Sequence, residues 1–335
     1  MKSTDLNFNF DTCDDEKCDK YIKNHIERIC GEILNSLGSK TVKSIILTGG
    51  MTREEGSAVS YGERIEVFSD YDLLVLVNKI GSRIQNELKR ISGELTKEFS
   101  REGLPSHVDV LPITPKKLSK MNATMFSLEL KEYGRSLYGE DHRKYMLDLK
   151  AEDIPQEDSL RMLHNRIVGV LECFDPDIFL RKIIRDESKA KFLIYHIAKN
   201  IVDLGSSLFS FEKLYLPSYK ERVKILKQNF EKLDFAKKEP DFPEVIEKWT
   251  EFKLKPDLKR ILYQRGYNNS HEDLIKLARE LWFEHISYME SVWRYEIQKI
   301  YNTKEQEPIN LVDIYYRNNS QIKARLKDCY IFIKM

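Results

Sequence analysis

The chain has 335 residues, 41% hydrophobic and 33% charged, the balance of a folded globular protein whose length predicts two domains. Lys and Arg number 55 against 54 Asp and Glu, so no bulk charge draws it to extended nucleic acid or to an anionic membrane. A polar, acidic start, apolar runs no longer than a strand and five scattered cysteines predict a reduced, cytoplasmic protein with no membrane segment.

Cys13 and Cys18 lie close together, but no second Cys or His pair accompanies them, which speaks against zinc. Over 15–37 the residues Tyr21, Ile22, Ile26, Ile29, Ile33, Leu34 and Leu37 recur at helical spacing, with Gly38 as the stop. VKSIILT at 42–48 reads as a strand ending in Gly49-Gly50. SAVSYGERIEVFS alternates loosely around Tyr61-Gly62 and fits a hairpin or an extended loop. YDLLVLV at 71–77, apolar on both faces, predicts a buried central strand. Ile84, Leu88, Ile91, Leu95 and Phe99 make 80–99 an amphipathic helix. HVDVLPIT is a third strand, and MFSLELKEYGRSLYG a helix running into a short strand.

That order predicts a small mixed α/β (α+β) sheet with packed helices over residues 1–148. Polar sequence with Pro155 marks the boundary near 141–156. Beyond it strand patterns nearly vanish, and 149–335 predicts an all-α helical bundle. The last stretch, QIKARLKDCYIFIKM, reads as either strand or tail.

Asp70 and Asp72 stand two apart at the start of a buried strand, so both carboxylates aim to one side. Two anions so close repel unless a cation is shared between them, and a hard divalent ion suits carboxylate oxygens and phosphate together. Asp109 sits in another apolar strand, with Val108 and Val110 facing the other way. If the two strands are neighbours, it completes a three-carboxylate cluster. Gly49-Gly50 would let backbone approach a triphosphate, and Arg53 and Ser57 just beyond could donate to phosphate.

LTGG, FSDYDLLVLV and HVDVLP, in that order, resemble the DNA polymerase beta-like nucleotidyltransferase superfamily over roughly residues 40–140. The resemblance implies that Asp70 and Asp72 bind metal, and that Asp109 is general base or a further metal ligand. It implies Mg²⁺ (or Mn²⁺) and an NTP substrate, with a nucleoside monophosphate passing to an acceptor hydroxyl and pyrophosphate leaving. Nineteen residues separate Gly50 from Asp70, a longer spacer than the family's usual one. A long spacer with an R-x-E-G-S stretch is similar to nucleotidyltransferase-like proteins encoded with surface-polysaccharide genes.

In many such relatives a helical domain supplies cations to the triphosphate. Lys191 and Lys199, eight apart on one helix and followed by Asp203, are the candidates, although a solvated face explains them as well. Tyr219 and Arg222 could clamp a nucleotide, but Ser218 and Glu221 read more simply as a helix start. Arg279 and His285 resemble the Arg–His pair of HEPN-type RNases, a weak signal beside an ordinary helix. Neutral overall charge favours a small-molecule or protein acceptor over an RNA end. The competing expectation is a regulatory or toxin–antitoxin-like binding module, with the helical half as its partner surface.

Overall fold

A computed structural model describes residues 16–62, 64–102, 107–172, 174–183, 187–268 and 270–318; Cys13 and the strand-or-tail at 321–335 lie outside them. The two most apolar runs become β1 (Val42–Thr48) and β4 (Tyr71–Val77), paired antiparallel at the centre of a four-stranded mixed sheet. The sheet order is β5-β4-β1-β6, with β5 (Val108–Ile113) parallel to β4 and β6 (Arg135–Gly139) antiparallel to β1. The pleat divides the central strands. Ile45, Leu47, Leu73, Val75 and Val77 pack against α1 (Glu16–Leu37) and α2 (Ser82–Glu102). Ile46, Leu74 and Leu76 pack on the other face with Leu118 and Leu130, which belong to α3 (Pro115–Ser119) and α4 (Met125–Tyr133).

α3 was not expected from periodicity, because five residues are too few to display one. Its signal is local: Thr114 caps the first turn by accepting the Lys117 N–H at 3.2 Å, and Pro115 supplies the fixed φ of a helix start. The loosely alternating spacer is a hairpin, β2 (Ala58–Tyr61) and β3 (Arg64–Val67), in register from Ala58↔Val67 to Tyr61↔Arg64. At the sheet edge, the Val108 and Val110 N–H groups donate to Thr96 Oγ1 at 3.0 Å and Ser92 Oγ at 3.2 Å. Helix α2 thus satisfies donors that would otherwise invite another strand.

The second half is helical, from α5 (Gln156–Glu172) and α6 (Glu187–Phe211) through α7 (Tyr219–Asn229), α8 (Phe242–Leu254) and α9 (Leu258–Gln264) to α10 (His271–Ile300) and α11 (Pro308–Asn318). Helix α6 is its axis: Ile194, Ile197, Ala198, Ile201, Leu204 and Leu208 are all buried, and α5, α8 and α10 pack around it. This core also takes in Phe68, Met125 and Leu128 from the sheet half, so the two halves share apolar packing. Among the described residues no helix is long and apolar enough to cross a membrane.

Candidate functional site

A cleft of about 500 Å³ lies between sheet and helices, and Asp70, Asp72 and Asp109 all line it. The pairing of β4 with β5 brings them there. Parallel register sets Asp72 beside Asp109, and Asp70 precedes Asp72 by two positions. On the other flank of β4, Thr48 pairs with Asp72 and its hydroxyl donates to the Asp72 carbonyl at 3.2 Å.

Gly49 follows with φ 76°, a left-handed value that favours glycine, and a Cβ there would stand 2.7 Å from Asp72 Oδ2. The chain therefore lies directly on the carboxylate. Gly49→Ala is expected to cost about 1–3 kcal/mol through strain and this clash, read as a lower melting temperature. An unchanged melt would show that the turn is not held as described. At Gly50 a Cβ would meet the Glu55 carbonyl at 3.1 Å and Lys253 Nζ at 3.4 Å.

The electrostatics are uneven. Burial pushes Asp70 up, but the Lys199 ammonium, 2.9 Å away, outweighs it and holds the carboxyl below its usual range. The pairing likewise raises Lys199 against the effect of its own burial. Asp72 has no such partner. Burial, then the charge of Asp70, with Asp109 and Glu129 adding, raise it to about 7. Lys199 pulls Asp72 the other way, but less than burial and Asp70 push it up.

The long spacer turns out to clasp the halves together, which explains two of its polar residues. Glu55 caps α7, accepting the Tyr219 N–H at 3.1 Å, the Lys220 N–H at 3.2 Å and the Ser218 hydroxyl at 2.8 Å. Arg53, expected to donate to phosphate, does line the cleft, where it is paired with Glu55 at 3.1 Å and Glu129 at 2.8 Å. Burial works against its charge, but Glu129, Tyr219 and Glu55 more than offset this and raise its pKa. Ser57, also expected at phosphate, is fully buried outside the cleft lining. Its hydroxyl donates to the Lys253 carbonyl and accepts from Tyr195 at 2.9 Å.

Of the two lysines on α6, Lys199 reaches the cleft and Lys191 does not. Lys191 pairs with Glu187 one turn back at 2.8 Å, since eight residues at about 100° each leave it roughly 80° round the helix from Lys199. Asp203 lines the cleft and pairs with Arg166 at 2.8 Å. Ser218 does cap α7, accepting the Glu221 N–H at 3.3 Å, yet Tyr219 and Arg222 also line the cleft. Around the Tyr219 ring stand Arg222 at 4.3 Å, Lys253 at 4.5 Å and Arg53 at 5.2 Å.

The Arg279–His285 pair does not form a site. His285 is fully buried and desolvation lowers its pKa to about 3, while Arg279 donates to the Phe179 carbonyl at 2.8 Å.

Sequence reading missed Lys253 and Glu129. Lys253 is buried at the cleft floor, donates to the Glu55 carbonyl, and is lowered by burial to about 7. Glu129 lines the cleft and accepts from Arg53 and Tyr215. Both are polar residues on amphipathic helices, where one chain cannot tell a solvated face from a cleft wall.

Among the described residues no group of three or more His, Cys, Asp and Glu side chains already stands as a metal-holding set. The chemistry of the donors nonetheless fits a hard divalent cation: three carboxylates line one cleft. Neither a protein-family model nor a curated protein matches this chain.

Proposed function

We propose that this chain is a metal-dependent nucleotidyltransferase, moving a nucleoside monophosphate from an NTP to an acceptor hydroxyl and releasing pyrophosphate. The observation that carries the reading is the β4–β5 register, which sets Asp72 beside Asp109 in a cleft floored by the Gly49-Gly50 turn.

Asp70, Asp72 and Asp109 would hold Mg²⁺ or Mn²⁺, which supplies charge neutralisation for the phosphates and for the departing pyrophosphate. Asp109, exposed on its strand and lining the cleft, would accept the proton of the incoming hydroxyl. Its oxygen then bonds to the α-phosphorus as the bond to the bridging oxygen breaks. Lys199 of α6, paired with Asp70, and Lys253 of α8 also line the cleft, and the Lys199 ammonium would attract a polyphosphate. A small molecule or a protein side chain is the favoured acceptor, because net charge is near zero.

The test is incubation of the full chain with each α-labelled NTP, Mg²⁺ or Mn²⁺ and a panel of acceptors, beside the Asp70→Ala/Asp72→Ala double variant. Labelled product and pyrophosphate are expected from the wild type alone. Thermal melts provide an acceptor-free check: saturation at about 100 times Kd adds about 2.7 kcal/mol to stability. A wild-type melting temperature unmoved by NTP with metal would overturn the proposal.

A further inference from the structure

Asp109 and Leu111 are two apart on β5, so they project from the same face of the strand. Both are exposed and both line the cleft, Leu111 with 60% of its surface open. Their neighbours Val108 and Val110 turn inward and are buried. A second large apolar side chain, Phe126 in the first turn of α4, lies open in the same cleft at 43% exposure. Half-buried Met162 of α5 adds to this shelf. One exposed leucine has no meaning; an apolar shelf beside the acid that would deprotonate the acceptor has one.

Next to the shelf, α5 carries Arg161 and, one turn on, exposed Asn165, both lining the cleft. Asp158 ties these elements together: one carboxylate oxygen accepts the Met125 N–H at 2.8 Å and the other the Arg161 guanidinium. The Arg161 side chain is still 62% exposed. A guanidinium and an amide at helical spacing offer fork-shaped donors suited to phosphate or carboxylate.

We infer that this corner is the acceptor subsite and that its acceptor is a mononucleotide. The base would lie on Leu111 and Phe126, the phosphate on Arg161 and Asn165, and a ribose hydroxyl toward Asp109. In the reaction that hydroxyl oxygen bonds to the α-phosphorus of the NTP, its proton passes to Asp109, and pyrophosphate leaves with the electrons of the broken bond. A flat apolar face plus one anionic group matches a nucleotide. An amino sugar and a neutral sugar both lack the anion that Arg161 and Asn165 would take. This assignment rests on the nucleotidyltransferase reading.

The experiment uses the full chain with Mg²⁺, an α-labelled NTP, and AMP, UMP, an aminoglycoside, glucose or a short oligoribonucleotide as acceptor. AMP or UMP should be labelled in preference to the others. Leu111→Ser and Phe126→Ala, both at exposed positions, should each raise the nucleotide KM by about tenfold while leaving the Kd for a non-hydrolysable NTP within twofold. Arg161→Gln should weaken AMP but not adenosine. Preferential labelling of the sugar, the aminoglycoside or the oligoribonucleotide overturns the inference, as does an unchanged KM in both shelf variants. Failure of the wild type to bind NTP with metal would instead remove the parent reading, so the two failures are told apart.

Discussion

Asp72→Asn is expected to abolish nucleotidyl transfer and at the same time to raise the melting temperature of the metal-free protein. In the folded chain the Asp72 carboxyl lies at about 7, raised first by burial and then by Asp70, with Asp109 and Glu129 adding and Lys199 opposing, against an ordinary value of 3.8. The folded state therefore binds more protons than the unfolded state between those two values. Stability contributed by this residue falls as pH rises through that window, and above it the full cost of the buried charge is present. A shift of about three units corresponds to about 4 kcal/mol, and screening by the open side of the cleft reduces it to on the order of 2 kcal/mol at pH 8. Asparagine keeps the shape and removes the charge. Its advantage should be absent at pH 4, present at pH 8, and narrowed by Mg²⁺ with NTP, which stabilise the wild type alone. Activity should fall by about 10³-fold or more, because a ligand and its charge are lost. Melts that coincide at pH 8 would show that the carboxylates do not strain the fold, and would weaken the case that a cation belongs among them.

The same residues show how far a single sequence could be read. β1 and β4 were legible to the residue because each is an apolar run with sharp ends, one closed by two glycines and the other opened by aspartates. That Asp72 and Asp109 share a cleft required β5 to lie beside β4, and strand order is set by long-range packing that no local pattern records. The spacer was legible only in part. Arg53 and Ser57 are potential phosphate donors a few residues past the glycine turn; Arg53 reaches the cleft while paired with Glu55 and Glu129, whereas Ser57 is buried away from it against Lys253. Glu55, from the same spacer, caps a helix more than 160 positions away in sequence. Lys199 and Lys191 looked equivalent because helical spacing gives angles but not which angle meets the cleft. Lys253 was invisible for the converse reason: a lysine in an amphipathic helix signals solvent, and here it is buried at the cleft floor.

A second buried carboxyl separates stability from function. Glu296 of α10 is wholly buried and meets the hydroxyls of Ser159 and Ser207, each at 2.8 Å. Burial raises it to about 8 from an ordinary value of 4.5, although the two serines pull it down. Both serines also have a backbone acceptor, Ser159 at the Gln156 carbonyl (2.6 Å) and Ser207 at the Ser159 carbonyl (3.0 Å). A hydroxyl has one hydrogen. With Glu296 protonated, its own O–H can donate to one serine oxygen while that serine donates to its backbone carbonyl, and every polar atom is served. Ionisation removes that donor and leaves a charge in the core. The sign matches that of Asp72: stability falls as pH climbs from about 4.5 to about 8 and is level beyond. Glu296→Gln, whose NH₂ repeats the acid's donor, is expected to gain on the order of 3 kcal/mol at pH 8.5 and little at pH 4.5, read from urea midpoints at the two values. Glu296→Leu should instead lose about 1–3 kcal/mol at the lower pH, because it strands the serines. Because Glu296 lies outside the cleft lining, the glutamine variant should bind NTP as the wild type does. A variant stabilised at both carboxyls would then carry the functional loss of Asp72→Asn alone, which marks the charge in the cleft, and not buried charge in general, as the one retained for chemistry.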